Sequence, residues 1–244
     1  MNCNPKKILI SGTSSGLGKF ILKKLKGEKY NRNKNISFYK KKKWDIIIHS
    51  AFYNGSDIKK YSESIKQTFL LSKLNSKKMI FISSAAVYEG IPGKRDEKSK
   101  IIVNKKHSTY AMSKIICEEI LPKNSIIIRL GTIVGKEMRK NNIYKIIKLS
   151  RPKVSISKKS IYSFVSYSEI LEFIKVTFNK KLSGIFNFLR TDYIYVYQIC
   201  NKLNKKVKYG KFVFKCTKAS NKKVQKLINL DNKSSIDVIK EELA

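Results

Sequence analysis

The sequence predicts an α/β domain in which a parallel sheet is covered by helices on both faces. Two observations lead to this prediction. Short, continuously apolar segments alternate along the chain with longer segments in which apolar residues recur every three or four positions. Strands that are apolar throughout are typical of parallel sheets buried on both faces, whereas the longer segments have the period of amphipathic helices. The expected architecture is therefore a doubly wound sheet.

The predicted elements of the first half follow one another in a regular order. The strands are KKILIS, NISFY, WDIIIHSA, KKMIFISSA and NSIIIRLG, at residues 6–11, 35–39, 44–51, 77–85 and 124–131. The helices are at residues 16–28, 57–74 and 108–121. NISFY is the weakest of the strands. Its proximity to the strand at 44–51 leaves no room for the usual helix between them.

The pattern is less regular after Gly135. Residues 136–160 contain a basic helix candidate and a polar stretch, residues 163–178 run from a strand into a helix, and residues 183–189 are strand-like. We expect a smaller lobe that lies over the carboxyl ends of the strands, where open α/β sheets bind ligands.

The chain is strongly basic, with a formal net charge of +36 from 53 Lys and Arg against 17 Asp and Glu. Such a charge attracts anions, and it makes nucleic acid a candidate partner. Only six of the basic residues are arginine, the residue best suited to bidentate phosphate and base recognition. The abundance of Lys, Ile and Asn is typical of drift in an AT-rich genome, which we favour over a nucleic-acid surface.

The cysteines and the N-terminus limit the cellular setting. Cys3, Cys117, Cys200 and Cys216 form no C-x-x-C pair, so the sequence predicts neither a metal site nor a disulfide framework. No apolar run approaches the roughly 18 residues needed to cross a bilayer. MNCNPKK leads directly into a strand, without the apolar region of a signal peptide. We therefore expect a cytoplasmic protein with no transmembrane segment.

The stretch GTSSGLG at residues 12–18 predicts a pyrophosphate site. Gly12 permits a tight turn after the first strand, Gly16 lets the backbone approach a phosphate, and Gly18 allows close packing of the helix on the strand. The helix N-terminus adds free N–H groups and the positive end of its dipole.

Several motifs in this order resemble the short-chain dehydrogenase/reductase superfamily, and more narrowly its extended, nucleotide-sugar epimerase/dehydratase branch. They are GTSSGLG, WDIIIHSA, MIFISSAAVY and YAMSK, followed by IIIRLGTIVG and SGIFN. The resemblance implies a Rossmann-type NAD(P)-binding domain over residues 1–135 and a reduced C-terminal substrate lobe over residues 136–244. The boundary is approximate, because the chain is expected to return to the sheet. The spacing G-x-x-x-G-x-G is more usual in the single-domain branch.

One Tyr-x-x-x-Lys pair is selected by its position rather than by its spacing. Four such pairs occur, namely Tyr30/Lys34, Tyr39/Lys43, Tyr110/Lys114 and Tyr144/Lys148. Only Tyr110/Lys114 opens a helix after the Ser-Ser strand, 26 residues beyond Ser84. Residues four apart lie on one helix face, so both side chains can point into one site.

The resemblance also implies a role for each of these residues. Tyr110 would be the general acid or base of hydride transfer, Ser84 would position the substrate oxygen, and Lys114 would bond the nicotinamide ribose and lower the pKa of Tyr110. His49 and His107 are expected to be structural. The implied cofactor-binding residues are Gly12, Ser14, Ser15, Gly16, Leu17, Gly18, Lys40, Ser50, Ala51, Tyr110 and Lys114.

The choice of cofactor depends on the end of the second strand. If that strand is NISFY, it is followed by Lys40 to Lys43 with no acid before Asp45. Lysines suit a 2′-phosphate, whereas NAD-binding proteins tend to place Asp or Glu here. This favours NADP(H) over NAD(H), with a solvated charge run as the alternative.

The resemblance implies an NAD(P)-dependent epimerase or 4-keto-sugar reductase acting on a nucleotide-diphosphate sugar. Ala85 and Ala86 stand where dehydratases of this branch carry Asp-Glu, which disfavours water elimination. Arg139 and Arg151 are candidate phosphate clamps, beside Ser84 and Tyr110 in the substrate site. The chain could form a homodimer, and nucleic acid is not the expected partner. The alternatives are a cofactor-binding protein without turnover and a nucleic-acid-associated protein bound through charge.

Overall fold

The chain folds around a six-stranded parallel sheet, seen in a computed structural model that describes residues 5–243. Up to residue 134 the elements are β1 (Ile8–Ser11), α1 (Gly16–Leu25), β2 (Glu28–Lys29), α2 (Ser37–Lys40), β3 (Trp44–His49), α3 (Ile58–Ser72), β4 (Ser76–Ser84), α4 (Thr109–Glu119), β5 (Ile126–Leu130) and β6 (Thr132–Val134). The remaining elements are α5 (Asn142–Lys148), β7 (Ile161–Tyr162), β8 (Phe164–Ser166), α6 (Tyr167–Asn179), β9 (Gly184–Phe188), β10 (Ile194–Tyr195), α7 (Val196–Lys202), α8 (Lys222–Gln225) and α9 (Ser235–Leu243). Short 3-10 helices cover Ala85–Tyr88 and Leu230–Asn232.

The sheet is doubly wound, as predicted. Its strand order is β2-β1-β3-β4-β5-β9, and every pairing is parallel. Alternate strand residues supply two separate cores: Ile10, for example, belongs to the core that α1 and α6 cover, and Leu9 to the one that α3 and α4 cover. The continuously apolar strands are thus explained by burial on both faces.

The expected second strand at residues 35–39 is wrong. The second strand is β2, Glu28–Lys29, which pairs with Leu9 and Ile10 of β1. The side chain of Asn35 accepts a hydrogen bond from the N–H of Ser37 (3.0 Å), which favours the short helix α2 over a strand. Tyr39 is buried against Tyr30 and Trp44, so the apolar residues of NISFY fill the core beside the sheet edge.

The C-terminal half contributes both to the sheet and to the surface above it. Residues 167–188 form α6 and β9, and β9 is the last strand of the sheet. Two small two-stranded sheets, β6 with β8 and β7 with β10, lie outside it. The basic helix candidate is α5, which is capped where the Asn141 side chain accepts from the N–H of Tyr144 (2.8 Å). Within residues 5–243, no helix has the length and apolar character needed to cross a membrane.

The order of the strands reverses between β1 and β3. At this switch point the β1–α1 turn lies in direct contact with the residues that follow β3. A Cβ on Gly12 would lie 2.6 Å from the nitrogen of Ala51, and Gly12 has a φ of +75°. A Cβ on Gly18 would lie 2.3 Å from the carbonyl oxygen of Gly12. Both glycines therefore allow the β1–α1 turn, the end of β3 and the start of α1 to approach one another closely.

A buried hydrogen-bond chain starts from the same point. The Ser11 hydroxyl accepts from the N–H groups of Ser50 (3.2 Å) and Ala51 (3.3 Å), so its own proton goes to Nδ1 of His49 (2.6 Å). Nε2 of His49 then donates to the Thr68 hydroxyl (2.9 Å) on α3. Burial, and secondly the charge of Lys114, lower the pKa of His49 to about 3, so this imidazole is neutral.

Replacing Gly12 should cost more stability than replacing a glycine with the same backbone conformation in open space. Gly93 has a φ of +71°, and a methyl group added to its Cα would have nothing within 4 Å. We expect Gly93→Ala to cost about 1–2 kcal/mol from backbone strain alone. Gly12→Ala should cost a further 1–3 kcal/mol, roughly, because backbone atoms of Ser50 and Ala51 obstruct the methyl group. Urea unfolding of both variants measures the difference, and equal costs would contradict the close contact.

Acid should destabilise the protein through His49. The unfolded state binds this proton near pH 6.5 and the folded state only near pH 3, so stability is lost as the pH falls between these values. The full loss amounts to about 5 kcal/mol. We expect His49→Asn to be less stable at pH 7 and to show a flatter fall between pH 6.5 and pH 4. Urea unfolding at a series of pH values tests this, and parallel pH profiles for the two proteins would contradict it.

Candidate active site

A cavity of about 610 Å³ opens at the carboxyl ends of β4 and β5. The sheet side of its wall comes from Ser84, Ala85, Ala86, Leu130 and the start of α4, and the opposite side from the C-terminal half of the chain. The lining residues are Asn54, Gly55, Tyr61, Ser84, Ala85, Ala86, Glu89, Ser108, Thr109, Tyr110, Leu130, Gly131, Thr132, Ser163, Leu189, Phe214, Lys215, Cys216 and Thr217.

Ser84 and Tyr110 line this cavity together. Ser84 ends β4, and its hydroxyl accepts from the N–H of Ala86 (3.1 Å), which starts the 3-10 helix Ala85–Tyr88. Tyr110 lies in the first turn of α4, which is capped where the Ser108 hydroxyl accepts from the N–H of Ala111 (3.2 Å). A strand end and a capped helix start therefore fix both side chains.

Lys114 lies one turn after Tyr110 and is only 2% exposed. Its Nζ donates to the carbonyl oxygen of Ile82 (2.6 Å) and lies 3.8 Å from the ring centre of Phe52. The distance from Nζ to the ring centre of Tyr110 is 5.9 Å. Burial lowers the pKa of Lys114 to about 7, although the neighbouring Cys117 and Glu118 act in the other direction.

The pKa of Tyr110 is raised, which differs from the expected lowering by Lys114. Burial raises this pKa, while a hydrogen-bonding interaction with Ser84 and the charge of Arg139 lower it to a lesser extent. The physical reason is that Tyr110 is itself buried, and this desolvation outweighs the charges around it. The site therefore holds Tyr110 as a neutral phenol.

The glycine-rich turn ends at an accessible helix N-terminus. Gly16 has a φ of +60°, and the side chain of Ser15, the N-cap residue, makes no hydrogen bond to the helix. Ser14 and Ser15 are exposed, whereas Leu17 is buried. The Ser15 side chain thus leaves the first N–H groups of α1 uncapped, as an anion site requires, while the Tyr167 hydroxyl interacts with the backbone N–H of Leu17.

The other residues proposed from the sequence are not all brought to this site. Ser50 and Ala51 lie at the switch point, against Gly12. Arg139 is exposed, donates to the carbonyl oxygen of Phe52 (3.3 Å), and acts electrostatically on Tyr110 and Lys114. Arg151 is exposed and does not line the cavity.

The expected position of Lys40, at the end of the second strand, is wrong. Lys40 is the last residue of α2 and is exposed, because the strand that pairs with β1 is Glu28–Lys29. The residues that follow β2 are Tyr30, Asn31 and Arg32. Arg32 is exposed, in a turn where the Asn31 side chain accepts from the N–H of Asn33 (3.0 Å).

Three residues at the site are not indicated by the motifs. Phe52 follows the D-x-x-x-H-x-A motif and covers Lys114. Tyr167 lies against Gly16 and Gly135, and its ring would overlap a Cβ on Gly135. Glu89 directly follows S-S-A-A-V-Y and lines the cavity. Only Glu89 has a sequence signal, since an acid immediately after that motif stands close to a site whose other candidates are uncharged or basic.

His107 and the cysteines have local explanations. His107 is buried, with Nε2 bonded to the carbonyl oxygen of Val87 (3.2 Å) and Nδ1 accepting from the N–H of Asn104 (3.1 Å). Cys117 contacts the Thr68 hydroxyl, and burial raises the pKa of Cys216 in the cavity wall to about 11. Cys3 lies outside the described residues.

Comparison with known proteins identifies the fold. No protein-family model and no curated protein matches the sequence. Among solved structures, an NAD-dependent NDP-hexosamine 5,6-dehydratase, TunA, is 13% identical with a TM-score of 0.77, and the match covers 97% of each chain. UDP-glucuronic acid 4-epimerase from Bacillus cereus, in complex with UDP-glucuronic acid and NAD, is 15% identical with a TM-score of 0.76, over 96% of this chain and 99% of that one.

A third structure, RMD from Pseudomonas aeruginosa complexed with NADPH, is 12% identical with a TM-score of 0.73, over 98% of this chain and 99% of that one. At such identities the likeness concerns the fold. The resemblance predicted from the motifs is confirmed at that level: the chain has the Rossmann-type fold of these NAD- and NADPH-binding proteins.

Proposed function

We propose that the chain is an NAD(P)-dependent nucleotide-sugar epimerase or 4-keto-sugar reductase with Ser84, Tyr110 and Lys114 as its catalytic residues. One observation carries the proposal. Ser84 and Tyr110 line one cavity at the carboxyl ends of the strands, and the ammonium of Lys114 lies 5.9 Å from the Tyr110 ring. Lys114 forms no ion pair within residues 5–243, and a buried ammonium group is costly for the fold, which supports a functional reason for its position.

The residues around the switch point fit a dinucleotide. Gly12, Gly16 and Gly18 keep the start of α1 close to β1, and the uncapped N–H groups there suit a pyrophosphate. In this proposal Ser14, Ser15, Leu17, Ser50 and Ala51 complete that seat, and Lys114 bonds the nicotinamide ribose. When bound, the nicotinamide supplies or accepts the hydride.

Tyr110 handles the proton of the reaction. As a neutral phenol it would donate a proton to the carbonyl oxygen of the substrate, and Ser84 would hydrogen-bond to the same oxygen. Because the pKa of Tyr110 is raised, its hydroxyl is protonated, as the reduction of a ketone requires. The reverse step needs the phenolate, which the positive charges of Arg139 and an oxidised nicotinamide favour.

The C-terminal half supplies the substrate side of the cavity. Ser163, Phe214 and Lys215 form part of its wall, which supports residues 136–244 as the substrate lobe. A nucleotide-diphosphate sugar suits the basic surroundings, and Arg139 is the better supported of the two proposed clamps because it acts on Tyr110. Ala85 and Ala86 in the wall offer no acid for water elimination.

We propose NADP(H) rather than NAD(H) as the cofactor, with Arg32 in place of Lys40 as the residue that would bind its 2′-phosphate. No Asp or Glu directly follows β2, and Arg32 lies within three residues of its end. Glu28 starts β2 and pairs with Lys42 (2.8 Å). An arginine at this place can hold a 2′-phosphate through two hydrogen bonds.

A homodimer and a cytoplasmic location stay predictions.

Removing the Tyr110 hydroxyl should abolish most turnover. We expect Tyr110→Phe to lower kcat by about 100-fold to 10,000-fold, since a general acid contributes a factor of this size. The matched control is Tyr144→Phe, which changes another Tyr-x-x-x-Lys pair outside the cavity lining. The measurement is turnover of a panel of nucleotide sugars and 4-keto sugars with NADPH and NADH.

Two outcomes of this panel would count against the proposal. If the unchanged protein converts none of the sugars with either cofactor, the enzymatic proposal is lost. If Tyr110→Phe retains the activity of the Tyr144→Phe control, the assigned mechanism is lost.

Arg32 should determine the affinity for the phosphorylated cofactor. We expect Arg32→Ala to weaken NADPH binding about tenfold or more and to leave NADH binding unchanged, because only NADPH carries the 2′-phosphate. Lys40→Ala is the matched control and should change neither. Fluorescence titration of both cofactors measures this, and a larger effect at Lys40 than at Arg32 would reverse the assignment.

A further inference from the structure

One carboxylate faces the cavity that holds Ser84 and Tyr110. Among the described lining residues, Glu89 is the only acid and Lys215 the only base. The protein as a whole carries a formal net charge of +36, so an acid in its central cavity runs against the general charge. A negative charge at this place therefore calls for an explanation specific to the cavity.

The backbone on both sides of Glu89 is tied down. Its N–H donates to the carbonyl oxygen of Ala86 (2.9 Å), at the end of the 3-10 helix. The loop that follows returns to the same helix, because His107 bonds to the carbonyl oxygen of Val87 (3.2 Å). The position of Glu89 is thus set by β4 and by α4, the two elements that carry Ser84 and Tyr110.

The side chain is held at one oxygen and open at the other. Oε2 accepts from the N–H of Ser108 (2.8 Å), immediately before α4. That bond fixes the carboxyl group against the start of α4. Oε1 has no hydrogen-bond or ion-pair partner within residues 5–243, and Lys215 forms no ion pair with it. One carboxylate oxygen is therefore able to accept hydrogen bonds from a ligand beside Tyr110.

We propose that Glu89 selects the sugar of the substrate, accepting rings that offer hydroxyl or ammonium hydrogen-bond donors and rejecting uronic acids. The inference rests on the proposed function. A carboxylate accepts strong, charge-assisted hydrogen bonds from such donors, whereas the carboxylate of a uronic acid would meet a like charge at Glu89. In this proposal the diphosphate of the substrate is bound elsewhere, by basic residues such as Arg139.

Glu89→Gln isolates the charge from the shape. Glutamine keeps an oxygen that can accept from the N–H of Ser108, so the start of α4 should stay intact. Glu119→Gln is the matched control, since Glu119 lies exposed at the end of the same helix, outside the cavity lining. The probes are two pairs that differ at one carbon, UDP-glucose with UDP-glucuronic acid and GDP-mannose with GDP-mannuronic acid. Isothermal titration in saturating NADPH measures binding without relying on turnover.

We expect the unchanged protein and Glu119→Gln to bind the neutral member of at least one pair about 30-fold or more tightly than its uronic acid. In Glu89→Gln this preference should fall about tenfold, mainly through tighter binding of the uronic acid. Equal binding of both members by the unchanged protein, or an unchanged preference in Glu89→Gln, overturns the role proposed for Glu89 and leaves the proposed function standing. If no sugar nucleotide binds, the proposed function is overturned along with it.

Discussion

The close approach of the first βα turn to the end of β3 is the constraint on which the site depends. Gly12 touches the backbone of Ser50 and Ala51, and the Ser11 hydroxyl bonds to both of their N–H groups. His49 carries the connection to Thr68 on α3, whose hydroxyl contacts Cys117 on α4. A continuous buried chain therefore links the turn that would hold a pyrophosphate to the helix that carries Tyr110.

The two buried arginines and the buried Lys114 have different partners. Arg129 and Arg190 are buried, and each is paired with a glutamate, Glu118 and Glu169 respectively. Arg129 also bonds to Tyr88 (2.7 Å), so its several donors are used, which a lysine could not reproduce. Lys114 is the contrasting case, with a carbonyl oxygen and aromatic rings as its surroundings. Burial lowers the pKa of Lys114, and we propose that this residue is placed to serve Tyr110 rather than the stability of the fold.

The sequence was sufficient for the sheet because its central strands are continuously apolar. Motif order also selected Ser84 and Tyr110, which the fold brings to one cavity, while their catalytic role and that of Lys114 stay predictions. It was insufficient where long-range contacts decide the structure. Glu28–Lys29 is a two-residue polar strand without a pattern, and it forms only because β1 offers an edge. NISFY has strand composition, yet the Asn35 side chain and the packing of Tyr39 make it a helix. Because NISFY is not the second strand, Lys40 does not lie at the end of that strand, where the sequence had placed it.

Charge is arranged asymmetrically around Tyr110. Arg139 donates to the carbonyl oxygen of Phe52, just beyond the end of β3, and Glu89 lies in the wall of the cavity that we propose for the substrate. The charge of Arg139 lowers the pKa of Tyr110 and favours the phenolate that oxidation of an alcohol would need, while burial and Glu89 raise this pKa and favour the phenol that reduction of a ketone would need. An epimerase needs both forms in turn, since it oxidises and then reduces the same carbon. The protonation of Tyr110 would then follow the redox state of the nicotinamide, because an oxidised ring adds a positive charge and a reduced ring does not.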